Sequence, residues 1–580
     1  MPSSVTSRFL LASIASLGVA ALVGCTTTDA SEEAVTEVVT TQPTQGATVI
    51  ADADPAARAI EASRLLFESA PTVLVAPAAD ETATFLSAQV AVTLGVPLLL
   101  ETAATMDAPD DGGAQGAAPT PDASATDAQT PSSASTADAP TPSHEAVAEE
   151  IDRLGASTVI AVGNLGGGPF PGLDVVATDA DPAALGKATG VEVATGPDAL
   201  SIAGIAGLPD PASDPSAASA PASAAPLDPR PQPAAPLEST VALTTDAPAD
   251  AAALATARAA GVPVVVLPAA SPDPLRSSDA IAALAAAGAA STILLGEAFS
   301  TLPDPAWSVR AAATGVELPG GGQHLFADRL FVALYGAPDA PVLGVLGEQG
   351  VDETIDRARK VAAPYEALTD RTVVPTLEII ATVAAGAEGD DGNYSNELPA
   401  DRLTPYIDAA AEAGVYVVID LQPGRTDFLT QAKLYESLLA RPNVGLALDP
   451  EWRLEPDEKH LTQIGSVTAE EINAVSRWLA DLVERDGLPP KMLVLHQFRL
   501  DMIQNRQDVD MSHPQLELLI HVDGQGGQPD KQATWRALHD GAPAGMAWGW
   551  KNFYDEDLPM LSPEQTLRDV APEPDLVTYQ

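Results

Sequence analysis

The chain has 580 residues, with 80 acidic against 29 basic side chains, a net charge of −51, one cysteine and 46% apolar residues. Such a charge repels nucleic acid and anionic lipid headgroups, and no Lys/Arg-rich run reverses it locally, so no nucleic-acid partner is expected. A lone cysteine excludes disulfides and thiolate metal sites, so stability has to come from apolar cores, in about two to four domains.

Arg8 is the only charge ahead of an apolar run from Phe9 to Val23, which ends in Leu22-Val23-Gly24-Cys25. A basic start, a short apolar core and small residues at the cut describe a secretory signal, shorter than the roughly 20 residues that span a bilayer. Leu-Val-Gly-Cys resembles a bacterial lipobox. That implies lipidation at Cys25, an extracytoplasmic location on the outer face of the cell membrane, and membrane contact through this lipid only. Residues 1–25 therefore read as signal and lipobox. Residues 26–54 open with a non-periodic Thr/Glu-rich stretch to about Gly46 and read as a flexible tether.

Between residues 55 and 300, two segments lack any apolar face and read as disordered insertions, 106–144 and 208–236. Without them an internal repeat emerges. Its first copy has apolar runs at Thr72–Ala76, Gly95–Leu100 and Ser157–Gly163, separated by helical stretches. Its second copy has runs at Thr240–Thr244, Gly261–Val266 and Ser291–Gly296. Gly-Val-Pro precedes the second strand of each copy, and Ser-Thr opens the third. Each copy reads β-α-β-α-β with continuous apolar strands, the pattern of a parallel sheet covered on both faces. The stretches Glu61–Ala76, Ala91–Leu100 and Leu154–Gly163 resemble the cell-wall-binding repeat type 2 family of Gram-positive surface proteins. That resemblance implies a parallel α/β module and a cell-wall polymer or glycan as partner. The family's Asp-Arg-aromatic start is eroded here to Asp54-Pro55-Ala56-Ala57-Arg58, and few basic residues remain to grip an anionic polymer.

From about Phe326 the aromatic, His and Trp content rises. Apolar runs at Leu330–Tyr335, Val374–Thr382, Val415–Asp420, Val444–Asp449, Met492–His496, Leu516–Val522 and Gly545–Trp550 alternate with helical patterns. Seven strands with intervening helices predict a (β/α) barrel over 326–580, the eighth strand being sought in Val342–Leu346, with an open doubly wound sheet as the competitor. The fold class is thus α/β: repeat modules with parallel sheets, then a barrel.

Polar groups follow nearly every strand: Glu348 and Gln349, Asp390, Asp391 and Tyr394, Asp420 and Gln422, Asp449, Glu451 and Trp452, His496 and Gln497, His521 and Asp523, and Trp548, Trp550 and Lys551. Barrel enzymes gather reactive groups at these C-terminal strand ends. Paired carboxylates can supply an acid and an ionised partner, and aromatic rings are platforms for sugars, so the pattern suggests a glycoside-hydrolase-like site. The catalytic candidates are Asp420, Asp449 and Glu451, with His496 and Asp523 as positioning groups. Trp452, Trp548, Trp550, Tyr394 and Gln497 are candidate substrate contacts. Each also has a plainer reading. Asp420 could make an Asx-turn, Arg453 could neutralise Glu451, and Trp548 and Trp550 share one strand face and could be core. No Gly-x-Ser-x-Gly elbow, Walker loop or His-Glu-x-x-His occurs. No cofactor is called for and no metal is assigned, although Asp420, Asp449, Asp523 and His496 or His521 would suit a hard or borderline cation. A non-catalytic wall scaffold and a metal-dependent hydrolase remain the alternatives.

Overall fold

The computed structural model describes residues 37–102, 144–168, 170–211, 227, 230–288, 290–326 and 328–580. The signal segment with Cys25, residues 26–36 of the tether, and residues 106–143, 212–226 and 228–229 of the insertions lie outside them.

Both repeat copies form four-stranded parallel sheets. In the first, the order is Leu98–Glu101, Thr72–Pro77, Thr158–Val162, Asp174–Thr178. In the second it is Gly46–Ile50, Ser291–Leu295, Thr240–Thr245, Val264–Leu267. The strand Gly46–Ile50 corrects the tether reading, because that stretch is a paired edge strand of the second sheet. Part of the second insertion is likewise ordered, since Gln232 bridges to Glu37.

The repeated Gly-Val-Pro has a steric cause. Gly95 and Gly261 follow helices Glu81–Leu94 and Ala251–Ala259 with φ of 67° and 73°. A Cβ on Gly95 would sit 2.7 Å from Pro233 Cβ, and one on Gly261 2.7 Å from Pro236 Cα. Only glycine allows both the left-handed turn and the close passage of the chain.

Strand alternation divides the second sheet between two cores. Ala242, Ile293 and Leu295 join the first sheet and helices Pro55–Leu66 and Glu81–Leu94. Val241, Leu243 and Leu294 join the core of the C-terminal half. No helix of the described residues is long and apolar enough to cross a membrane.

The C-terminal half is a closed barrel of eight parallel strands: β1 (Arg329–Gly336), β2 (Thr372–Ala384), β3 (Tyr416–Leu421), β4 (Val444–Leu448), β5 (Lys491–His496), β6 (Leu516–Val522), β7 (Ala547–Asn552) and β8 (Leu576–Tyr579). β1 pairs with both β2 and β8, which closes the ring. The eighth strand is therefore the four-residue β8. Val342–Leu346 instead contributes to two 3-10 turns, Pro341–Leu343 and Val345–Glu348, which the Pro341 and Gly344 backbone favours over a strand.

Inward side chains in the lower barrel are apolar: Phe331, Ala333, Val374, Tyr416, Val418, Ala447, Met492, Val494, Leu519, Ala547 and Leu576, joined by Leu318 and Leu325. Beside this floor, His324 bridges the two halves, with Nε2 2.9 Å from Asp273 of the second repeat and Nδ1 3.0 Å from Glu517 of β6. Burial opposes its charge, but the two carboxylates outweigh burial and push it up to about 9.

Candidate functional site

Two residues further along each strand, the same inward face becomes polar. Tyr335 follows Ala333, Asp420 follows Val418, His496 follows Val494, His521 follows Leu519 and Thr578 follows Leu576, all of them buried. Glu378 of β2 and Lys551 of β7 complete this upper layer, at 1% and 3% exposure.

The layer is knit around His496. Its Nε2 lies 2.7 Å from Glu378 Oε1 and its Nδ1 lies 2.9 Å from Asp523 Oδ2. His521 Nδ1 is 3.7 Å from the same Glu378 oxygen, and its Nε2 is 2.8 Å from Thr578 Oγ1. The Tyr335 hydroxyl donates to Asp420 Oδ2 at 2.8 Å, and the Lys551 ammonium sits 3.5 Å from the centroid of the Tyr335 ring. Several buried polar atoms have no hydrogen bond from the described residues: Glu378 Oε2, Asp420 Oδ1, His521 Nδ1 and Asp523 Oδ1.

Above this layer opens a cavity of about 560 Å³, whose lining includes the polar Gln422, Asp449, Glu451, Asp523 and Lys551 and the aromatic Trp452, Phe498 and Phe553. Asp449 follows β4 and caps the turn Pro450–Trp452, its Oδ1 accepting from the Glu451 N–H at 3.2 Å. Gly465 buttresses that turn by donating to the Glu451 carbonyl at 2.8 Å. A Cβ there would lie 2.2–2.6 Å from the carbonyl oxygens of Arg453, Pro450 and Glu451. Arg453 pairs with Glu471 at 3.1 Å, not with Glu451, whose carboxyl group has no hydrogen-bond or ion-pair partner among the described residues.

The electrostatics split the carboxyl groups into two kinds. Burial raises Asp449 well above the usual range, with Asp420 and Asp523 adding to the effect and His496 opposing it. Burial and the Asp523 charge push Glu451 up to about 7. Burial also takes Asp420 to about 6, against the pull of His496. Burial works against the Asp523 and Glu378 anions too, but the imidazoles outweigh it and hold both below the ordinary carboxylate range. His496 is raised well above 6.5, because Glu378, Asp420 and Asp523 overcome its desolvation, whereas burial keeps His521 lowered.

Of the residues singled out from the sequence, Asp449, Glu451, Trp452 and Asp523 line the cavity, and His496 supports it from below. Asp420 is wholly buried against Tyr335 and does not reach the cavity lining. Trp548 and Trp550 are no sugar platforms. They alternate with inward Lys551 and so face outward, where Trp550 packs on Trp535 at 5.6 Å and Trp548 stacks on His539 at 3.5 Å. Tyr394 lies under the Arg425 guanidinium at 4.5 Å, and Gln497 accepts from Arg506 at 3.0 Å; neither lines the cavity. Sequence reasoning missed Glu378 and Tyr335. The signal was available, since a glutamate inside Leu377-Glu378-Ile379-Ile380 shares the parity of inward Val374.

Two donor sets fall within cation-binding reach, each with atoms inside 4.8 Å of one another: Glu378, His496 and His521, and Asp449, His496 and Asp523. Both would need His496 as a ligand, yet each His496 nitrogen already faces a carboxylate oxygen. With no cation between them, that is the arrangement of an imidazolium donating twice.

No family model matches the chain, and no curated protein does. Among solved structures the chain is similar to Cwp6 from Clostridium difficile, at 12% identity over 70% of this chain and 63% of that one, with a TM-score of 0.27. It is also similar to the xylanase-alpha-amylase inhibitor protein XAIP-I in complex with trehalose, at 12% identity over 43% and 92% of the two chains, TM-score 0.28. A third similarity is to cellobiohydrolase II (Cel6A) from Humicola insolens, at 10% identity over 40% and 69%, TM-score 0.22. Scores this low carry no argument about function, which has to come from the site's own chemistry.

Proposed function

We propose that the barrel hydrolyses glycosidic bonds of a cell-wall carbohydrate, with Glu451 as general acid and Asp523 as the ionised carboxylate. The observation that carries this reading is the presence of two carboxyl groups lining one cavity with opposite proton affinities, Glu451 at about 7 and Asp523 held low. Two carboxyl groups driven apart by their surroundings make an acid and an anion at neutral pH. Glu451 delivers its proton to the leaving-group oxygen, and Asp523 stabilises the positive charge that builds on the sugar ring. Asp449 shapes the Glu451 turn, and Trp452, Phe498 and Phe553 offer ring faces to the sugar. The N-terminal resemblance and the Leu-Val-Gly-Cys25 start support the rest of the proposal: repeats that hold wall polymer, on a chain anchored by lipid. Release of a Cys25→Ala variant into the medium would support the anchor, and its retention in the membrane fraction would count against it.

The site assignment is tested by turnover of purified wall glycans. Glu451→Gln and Asp523→Asn are each expected to lose about 10²–10⁴-fold in kcat, the usual worth of general acid–base catalysis, while glycan binding persists. Wild-type turnover in both variants rejects the assignment. Glycan binding by the unmodified protein without any product makes the barrel a wall-binding module instead. The anomer formed first tells whether Asp523 bonds to the sugar or acts through water.

A further inference from the structure

We infer that Glu378 is a positioning residue that acts on Asp523 through His496. The inference deepens the hydrolase reading and rests on it for the catalytic consequence, but the geometry is independent of that reading. Glu378 comes from β2, and His496 and Asp523 come from β5 and the residue after its neighbour β6, across the barrel from it; the three meet in a continuous line of 2.7 and 2.9 Å contacts. Glu378 and His496 are 1% and 0% exposed, so no bulk water competes for the imidazole. Both His496 nitrogens face carboxylate oxygens, so the ring is used as a double donor, fixed in the plane that Glu378 sets.

The consequence falls on Asp523. His496 occupies its Oδ2, which leaves Oδ1 without a protein partner on the residue that lines the cavity. Glu378 therefore sets both which Asp523 oxygen is held and whether a cation is there to hold it. Among the groups facing His496, Glu378 alone bonds its Nε2, and the others are engaged elsewhere. Asp420 is tied to Tyr335, Asp449 to the Glu451 N–H, and Asp523 is the group being positioned. His521 points its Nε2 at Thr578, and Lys551 sits over the Tyr335 ring, where it brings a second positive charge to the layer. With Glu378 neutral, only Asp523 and Asp420 would remain to hold the His496 charge against burial, so its second proton would be held less tightly and the charged partner of Asp523 weakened.

The isosteric Glu378→Gln variant of the full chain tests this by ¹⁵N NMR of histidine, with the His496 signals among the seven histidines assigned from a His496→Asn variant. The unmodified protein is expected to keep both His496 nitrogens protonated from pH 6 to 9, whereas Glu378→Gln titrates within that range. Without substrate, the Asp523 carboxyl ¹³C titration should move up by about one unit or more in the variant. The acid limb of the kcat/KM profile should follow it. Glu378→Asp, which keeps the charge but shortens the reach, should retain the protonated His496 and lose kcat. A His496 that stays doubly protonated in Glu378→Gln, or an unmoved Asp523 titration, overturns the inference, as does stoichiometric metal bound at His496 in the purified protein. Because the NMR arms need no turnover, a barrel without hydrolase activity would sink the function while leaving the positioning role decided on its own.

Discussion

Glu150 in the repeat module and Glu378 in the barrel are both glutamates buried to 0% and 1% exposure. Glu150 is saturated: it accepts from Ser63 Oγ at 2.5 Å, Arg64 Nε at 3.1 Å, and Arg153 Nε and Nη2 at 2.9 and 2.7 Å. Those bonds staple helix Pro55–Leu66 to helix His144–Leu154, and nothing in the cluster is left over for a ligand. Glu378 keeps one oxygen empty, and its neighbours Asp420, His521 and Asp523 each leave a polar atom unpartnered beneath an open cavity. An unsatisfied buried polar group costs about 1–3 kcal/mol, so four such atoms under one cavity favour water or a ligand that supplies the missing bonds. A saturated buried charge is architecture, whereas an unsaturated cluster under a cavity keeps polar atoms in reserve for a ligand.

The comparison can be broken from the module side first. Glu150→Ala removes hydrogen bonds to two guanidinium groups, and hydrogen bonds to charged groups are worth about 1.5–3 kcal/mol each. Arg64 and Arg153 regain part of this by hydration, since their side chains are already 51% and 35% exposed. The expected net loss is about 3 kcal/mol in the module, with turnover per folded barrel unchanged. None of the six tryptophans lies before Trp307. The module transition should therefore fall to lower denaturant by circular dichroism while the tryptophan fluorescence transition holds its place. A shift in both, or in neither, would show that Glu150 is not a local staple.

The same contrast explains what could be read from the sequence. Long apolar runs such as Val374–Thr382 and Val444–Asp449 announced the barrel, because parallel strands covered on both faces need them. The four-residue β8, Leu576-Val577-Thr578-Tyr579, was too short to stand out, and the apolar Val342–Leu346 took its place although Gly344 sits within it. Strand ends pointed to Asp449, Glu451, His496 and Asp523. Parity was the unused information: it sets Trp548 and Trp550 opposite Lys551 and puts Glu378 on the inward side with Val374. The network around His496 joins β2 to β5 and β6 across the barrel, and only closure of the ring brings those residues together.

A smaller effect of opposite sign sharpens the comparison from the barrel side. Glu451 holds its proton to about pH 7 in the folded chain, against about 4.3 for an unperturbed glutamate. Between those values the folded state binds more protons than the unfolded one, so stability falls as pH rises through the window. Below it the group contributes nothing, and above it the penalty is complete, with a ceiling of about 3.7 kcal/mol at 1.36 kcal/mol per pKa unit. Glu451→Gln removes the penalty. The variant should match the unmodified barrel near pH 4.3 and exceed it by about 1–2 kcal/mol at pH 8, since solvent at the cavity mouth screens part of the ceiling. Urea unfolding followed by tryptophan fluorescence reads the barrel directly, because five of the six tryptophans lie within 326–580. Equal stabilities at pH 8 would mean that the cavity keeps Glu451 as comfortably ionised as water does, and the contrast with saturated Glu150 would then have to rest on the buried layer beneath it.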